Sequence, residues 1–83
     1  MSDGENEDKM VYIIDRLEHG NGGVHGQTIL DRLPLKDALK KSPYDYGVTE
    51  KLWGFWPVIS RNEDVNNFSY YWDDDSQKWK RSN

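Results

Sequence analysis

The chain contains no cysteine and only two histidines, His19 and His25. That excludes a disulfide framework and a thiolate zinc site, so the protein has to hold itself together by packing. The lack of thiols suits a reducing compartment, and a cytoplasmic location is expected. Long hydrophobic runs are missing as well. Met10 to Ile14 is far shorter than the roughly 20 apolar residues that cross a bilayer. The amino terminus, Met1-Ser2-Asp3-Gly4-Glu5-Asn6-Glu7-Asp8-Lys9, is acidic where a secretory signal would be basic and then apolar. Neither export nor membrane association is expected.

An excess of positive charge is also absent. The formal net charge is −4, which disfavours non-specific attraction to nucleic acid or anionic lipid and favours a basic partner. Much of that charge is local, because Asp3, Glu5, Glu7 and Asp8 are opposed only by Lys9 within residues 1–9. This stretch reads as a disordered acidic tail, and the body beyond it is nearly neutral. Residues 10–83 then form a single small domain, near the size at which one core only just outweighs chain entropy.

Motifs that carry chemistry are missing too. Gly20-Asn21-Gly22-Gly23 follows a strand pattern as phosphate loops do, but His25 stands where a dinucleotide loop needs glycine, and no Gly-Lys-Ser/Thr ending follows. The segment reads as a hairpin turn. His19 and His25 flank it with Asp15 and Glu18 nearby, a spacing too unspecific for a metal site. Asp73-Asp74-Asp75 lacks the alternate spacing and closing Glu of a calcium loop and reads as a solvated turn. There is no nucleophile elbow and no His-Glu-x-x-His helix. No catalytic residue, cofactor or metal ligand is assigned, and a non-enzymatic protein is expected.

The hydrophobic patterning implies an α+β fold. Met10-Val11-Tyr12-Ile13-Ile14 is β-branched and aromatic on both alternating faces, which suits a strand buried on two sides. A second strand over Gln27 to Arg32 completes an N-terminal hairpin. Leu33 to Lys41 reads as a short amphipathic helix, with Pro34 at its first position, Leu35, Ala38 and Leu39 on one face, and Ser42-Pro43 ending it. A competing reading starts the helix at Thr28 and interrupts it at Pro34. Leu52 to Ile59 reads as a strand that Pro57 places at an edge or a bulge. Ser60 to Asn67 reads as polar loop, Phe68 to Trp72 as a strand, Asp73 to Ser76 as a turn and Gln77 to Arg81 as a last strand. The expected architecture is a small antiparallel sheet, an N-terminal hairpin plus a C-terminal three-stranded meander, packed on one short α-helix.

What the chain has in abundance is aromatic. It carries four Trp, five Tyr and two Phe, and all but Tyr12 lie between Tyr44 and Trp79. Burying one aromatic ring is worth about 4–6 kcal/mol, at roughly 25 cal/mol per Å² over 150–250 Å². Ordering the domain costs on the order of 100 kcal/mol. Most rings must therefore be core. One helix covers only one sheet face, so two to four exposed aromatics are expected on the other. Period-two alternation puts Phe68, Tyr70 and Trp72 on one face and Tyr71 on the opposite one.

The candidate partner-binding set is Trp53, Phe55, Trp56, Glu63, Asp64, Tyr70, Tyr71, Trp72, Asp73, Asp74, Asp75 and Trp79. Trp and Tyr anchor protein interfaces and acidic residues suit their rim. The sequence points to a small inhibitor of a protein partner, of the phage-type counter-defence or immunity kind, with a basic nucleic-acid-binding enzyme as the concrete target. One alternative is an aromatic-stacking single-strand nucleic-acid binder using Lys78, Lys80 and Arg81, which the adjacent aspartates disfavour. Others are a small hydrolase with an unrecognised site and a homodimer that buries the second sheet face.

Overall fold

A computed structural model describes residues 8–18, 25–49 and 56–82 of the chain. Five strands form one antiparallel sheet in the order β2-β1-β3-β4-β5, comprising β1 Met10–Glu18, β2 His25–Pro34, β3 Val58–Ser60, β4 Phe68–Asp73 and β5 Lys78–Arg81. One short helix, α1 Leu35–Ala38, and two 3-10 turns, Pro43–Tyr46 and Val65–Asn67, complete the described elements. The α+β architecture is as expected from the sequence. The N-terminal pair and the C-terminal meander are joined into a single sheet by β1 against β3, with Ile13 opposite Ile59 and Ile14 opposite Val58.

β1 is buried on two sides. Val11 and Ile13 join the main core with Leu35, Ala38, Ile59, Tyr70, Trp72 and Trp79, while Ile14 packs with Val58 and Val65 on the other face. Alternation along a strand explains the division, since neighbours point to opposite faces. The 3-10 turn at Val65–Asn67 covers part of the second face, within a segment that reads from sequence as plain polar loop. Ser60 belongs to β3 rather than to that loop and is fully buried. Its hydroxyl lies within reach of the carbonyl oxygens of Asp64 (2.8 Å) and Asn67 (3.0 Å), which gives the buried proton an acceptor and holds the turn.

Gln27 fastens the same turn from β2. Its amide accepts from the Val65 N–H at 3.0 Å and donates to the Glu63 carbonyl. Gln27→Ala should cost about 1–2 kcal/mol for the two bonds, read as a lower Tm by thermal unfolding. An unchanged Tm would show the clasp to be idle.

Several sequence expectations are corrected. The helix is confined to Leu35–Ala38, and Leu33 and Pro34 belong to β2, where they pair with Val11 and Met10. Pro34 is the residue before the helix, with ψ 149°, not its first helical residue. The strand continues this far because the Leu35 N–H still donates to the Lys9 carbonyl at 2.9 Å. Thr28 pairs with Asp15 in the ladder, which removes the longer helix. β3 lies between β1 and β4, so Pro57 is not on an edge strand. It is fully buried just before β3 starts. The stretch from 50 to 55 lies outside the described residues, as do His19, the glycine turn and residues 1–7. Asp8 and Lys9, expected in the tail, are described, and Asp8 pairs with Lys36 at 3.0 Å.

Phe68 does not share a face with Tyr70 and Trp72. Ile59 pairs with Tyr70 but Ser60 pairs with Phe68, so Ser69 is an extra residue on β4. This bulge turns Phe68 to the second face, where it packs against Ile14, Val58 and Val65. β2 has the same device at Leu30, between Asp31 opposite Ile13 and Ile29 opposite Ile14.

Candidate functional site

Tyr70, Trp72 and Trp79 are 8, 5 and 7% exposed, so these rings build the core and do not form an outward face. Trp72 and Trp79 meet edge to face at 5.1 Å across the β4–β5 pair. The Trp79 indole N–H donates to the Lys41 carbonyl at 2.7 Å, tying β5 to the chain beyond α1. Trp56 is half-buried against the same core, and Trp53 and Phe55 lie outside the described residues. Among the described residues of the expected set, Tyr71 and the acidic residues reach solvent and Trp56 does so in part.

Those acidic residues fall at opposite ends of β4. Glu63 and Asp64 precede the strand and are exposed: the Asp64 carboxylate accepts from the Asn66 N–H at 3.0 Å, and Gln27 bonds the backbone carbonyl of Glu63, not its carboxylate. Asp73, Asp74 and Asp75 lie at the far end, about 17–20 Å away for a strand of six residues. The structure does not bring the two acidic segments together.

At the far end the turn is heavily cross-braced. One carboxylate oxygen of Asp74 accepts from the Tyr44 hydroxyl, from the Trp72 indole N–H at 3.2 Å and from the Gln77 amide at 2.7 Å. Gln77 also donates to the Asp74 carbonyl at 2.8 Å, and its φ of 57° is the left-handed conformation that lets the hairpin reverse. Asp73 accepts from the Ser76 hydroxyl at 2.6 Å and pairs with Lys80 at 3.1 Å. Asp75 is exposed at the tip.

Tyr44 was not singled out by the sequence, yet it organises this end. Its ring sits edge-on to Trp56 at 5.9 Å and to Trp72 at 6.4 Å, and still leaves 40% of the residue exposed. Its place beside Asp74 is set by residues far along the chain, and the only local signal is a tyrosine after a proline in a polar turn. Tyr71, 41% exposed, projects from the opposite face of β4 beside Lys80. Among the described residues these are the exposed aromatics, and they do not form one patch.

The site offers fixed negative charge. The Tyr44 hydroxyl, and next the Trp72 indole, hold Asp74 below the usual carboxylate range. Ser76, then Lys80, do the same for Asp73. The bond to Asp74 raises the Tyr44 phenol, and the partnership with Asp73 raises Lys80. None of these shifts moves a group towards neutral pH, where a general acid or base works best. Because both carboxylates are depressed in the folded state, their contribution is present above the ordinary value near pH 4 and is lost as pH falls through the folded values. The Tm should fall on acidification below about pH 4, and Asp74→Asn should flatten that limb.

The opposite sign holds for Tyr46, raised first by burial and then by its hydrogen bond to Asp31 at 2.6 Å. Its contribution is complete below its ordinary value of 10.0 and is lost at higher pH. Tyr46→Phe should remove that part of the alkaline loss of Tm.

A shallow open depression lined by Asp31, Leu33, Asp37, Lys40, Lys41 and Asp45 carries mixed charge and is too open to exclude water. Among the described residues no three His, Cys, Asp or Glu side chains are grouped to hold a metal ion, and no helix is long and apolar enough to cross a membrane. The chain matches no protein-family model, and comparison with curated proteins and with solved structures found no match to either.

Proposed function

We propose that this protein acts without catalysis, as a small inhibitor that binds a basic protein partner through the aromatic and acidic end of the β4–β5 hairpin. The observation that carries this reading is Tyr44. Its ring is exposed, yet it is held by Trp56 and Trp72 and by its own hydroxyl on Asp74. A ring ordered before binding loses little entropy on docking, which is what makes tyrosine an effective interface anchor. Asp74 and Asp75 beside it supply negative charge that steers a basic surface and sets its orientation. A nucleic-acid-binding enzyme of the phage counter-defence or immunity setting presents such a surface.

The nucleic-acid reading is less well supported. Of its three cations, Lys80 is engaged by Asp73 and the Arg81 guanidinium lies over the Tyr70 ring at 6.0 Å, which leaves the exposed Lys78, too little for a cationic track.

Affinity capture from a lysate of the source cells tests the proposal. Wild-type protein should retain a basic protein in stoichiometric amount, and Asp75→Lys should lose it while keeping its Tm. Retention of single-stranded nucleic acid at low salt, with no protein partner, would transfer the proposal to the other class.

A further inference from the structure

We propose that Asp31 closes the outer edge of β2 against pairing with a second copy of this chain. β2 borders the sheet, with β1 on one side. The Leu35 N–H donates to Lys9, across from it in the β1 direction. By alternation Leu33 and Asp31 also turn their N–H groups towards β1, and Arg32 and Pro34 turn outward. Neither outward residue offers a donor. Pro34 has no N–H, and the Arg32 N–H is taken at 2.8 Å by one carboxylate oxygen of Asp31. The other oxygen accepts the Tyr46 hydroxyl at 2.6 Å, which keeps the carboxylate in place.

Beyond the bulge at Leu30 the alternation shifts by one, because Thr28 pairs with Asp15. The outward N–H groups there belong to His25, Gln27 and Ile29. An incoming strand therefore meets donors along half of β2 only. Pairing of two copies needs a continuous run of backbone bonds, and strands whose edges lack donors or carry charge resist it. Ile29, 41% exposed beside this open half, is the residue such pairing would cover.

Sedimentation at matched concentrations tests the device. Wild type should be monomeric, and Asp31→Ala, which frees the Arg32 N–H, should associate about tenfold more strongly or beyond. Asp31→Asn should stay close to wild type, because its amide oxygen still accepts that N–H. A folded Asp31→Ala that remains as monomeric as wild type overturns the proposal. Equal association of the Ala and Asn variants also overturns it, since charge and not the hydrogen bond would then be the barrier. A wild-type dimer paired through β2 does the same. If Asp31→Ala fails to fold, amide exchange of the wild type decides: the Arg32 N–H should exchange about tenfold more slowly than that of Ile29, and equal rates count against the closure.

Discussion

Trp72→Ala is expected to leave much of the protein unfolded at room temperature. Trp72 is 5% exposed and meets Trp79 at 5.1 Å and Tyr44 at 6.4 Å, both edge-on. Its indole N–H also reaches Asp74 at 3.2 Å. Truncating a core tryptophan costs about 3–5 kcal/mol, and a single core in so small a domain supplies stability of the same order. The loss would extend to the candidate site, because Tyr44 rests on this ring. Trp72→Phe, which keeps a ring but loses the N–H, should be milder. Denaturant unfolding followed by tryptophan fluorescence reads both, and a well-folded Trp72→Ala would show that the ring is displayed and not structural.

Ile59→Ala should be the next most damaging, at about 2–5 kcal/mol. β3 has only three residues, and Ile59 is fully buried in the middle of a row that crosses all five strands, Asp31, Ile13, Ile59, Tyr70 and Arg81. A cavity there opens between Ile13 and Tyr70, where neighbouring strands hold the backbone apart and collapse is limited. Ile59→Val should cost about 0.5–1.5 kcal/mol. The same denaturant series measures the ratio, and similar losses for Val and Ala would mean that the site collapses freely.

Most of the strand content was legible because β-branched and aromatic residues alternate where the ladder runs. Val11, Ile13 and Ile14 announced a strand buried on both faces, and Tyr70 and Trp72 were correctly paired on one face of β4. What escaped is what depends on partners across the sheet. Period two cannot reveal that Ser69 is an extra residue, because a bulge is defined by the opposite strand, here Ile59 and Ser60. The helix reads longer in sequence than it is for a similar reason. Leu33 fits an amphipathic helix locally, but pairing with Val11 holds it in β2. Pro57 suits an edge or a bulge because proline cannot donate within a ladder, and the chain meets that constraint by placing it just before a central strand.

The site was half legible. The aspartate turn and the aromatic wealth stood out, but composition cannot say which rings are core. Tyr70, Trp72 and Trp79 turn inward because they share the core with Val11, Ile13 and Ile59 of the sheet and Leu35 and Ala38 of α1, while Tyr44 stays at the surface because Asp74, thirty residues away, holds its hydroxyl. The two acidic segments looked alike in sequence and differ in use. Asp64 caps a short turn, whereas Asp74 gathers Tyr44, Trp72 and Gln77 on one carboxylate oxygen, and each segment keeps an exposed carboxylate, Glu63 and Asp75.

The affinity of the purified partner for Asp75→Lys, measured by calorimetry beside wild type, tests most directly the claim that the β4–β5 tip is the binding surface. A rim charge reversal against a basic partner should weaken binding by about tenfold or more, with the Tm unchanged, and Tyr44→Ala should weaken it further. Wild-type affinity in a folded Asp75→Lys protein would contradict the account and place the binding surface elsewhere on the molecule.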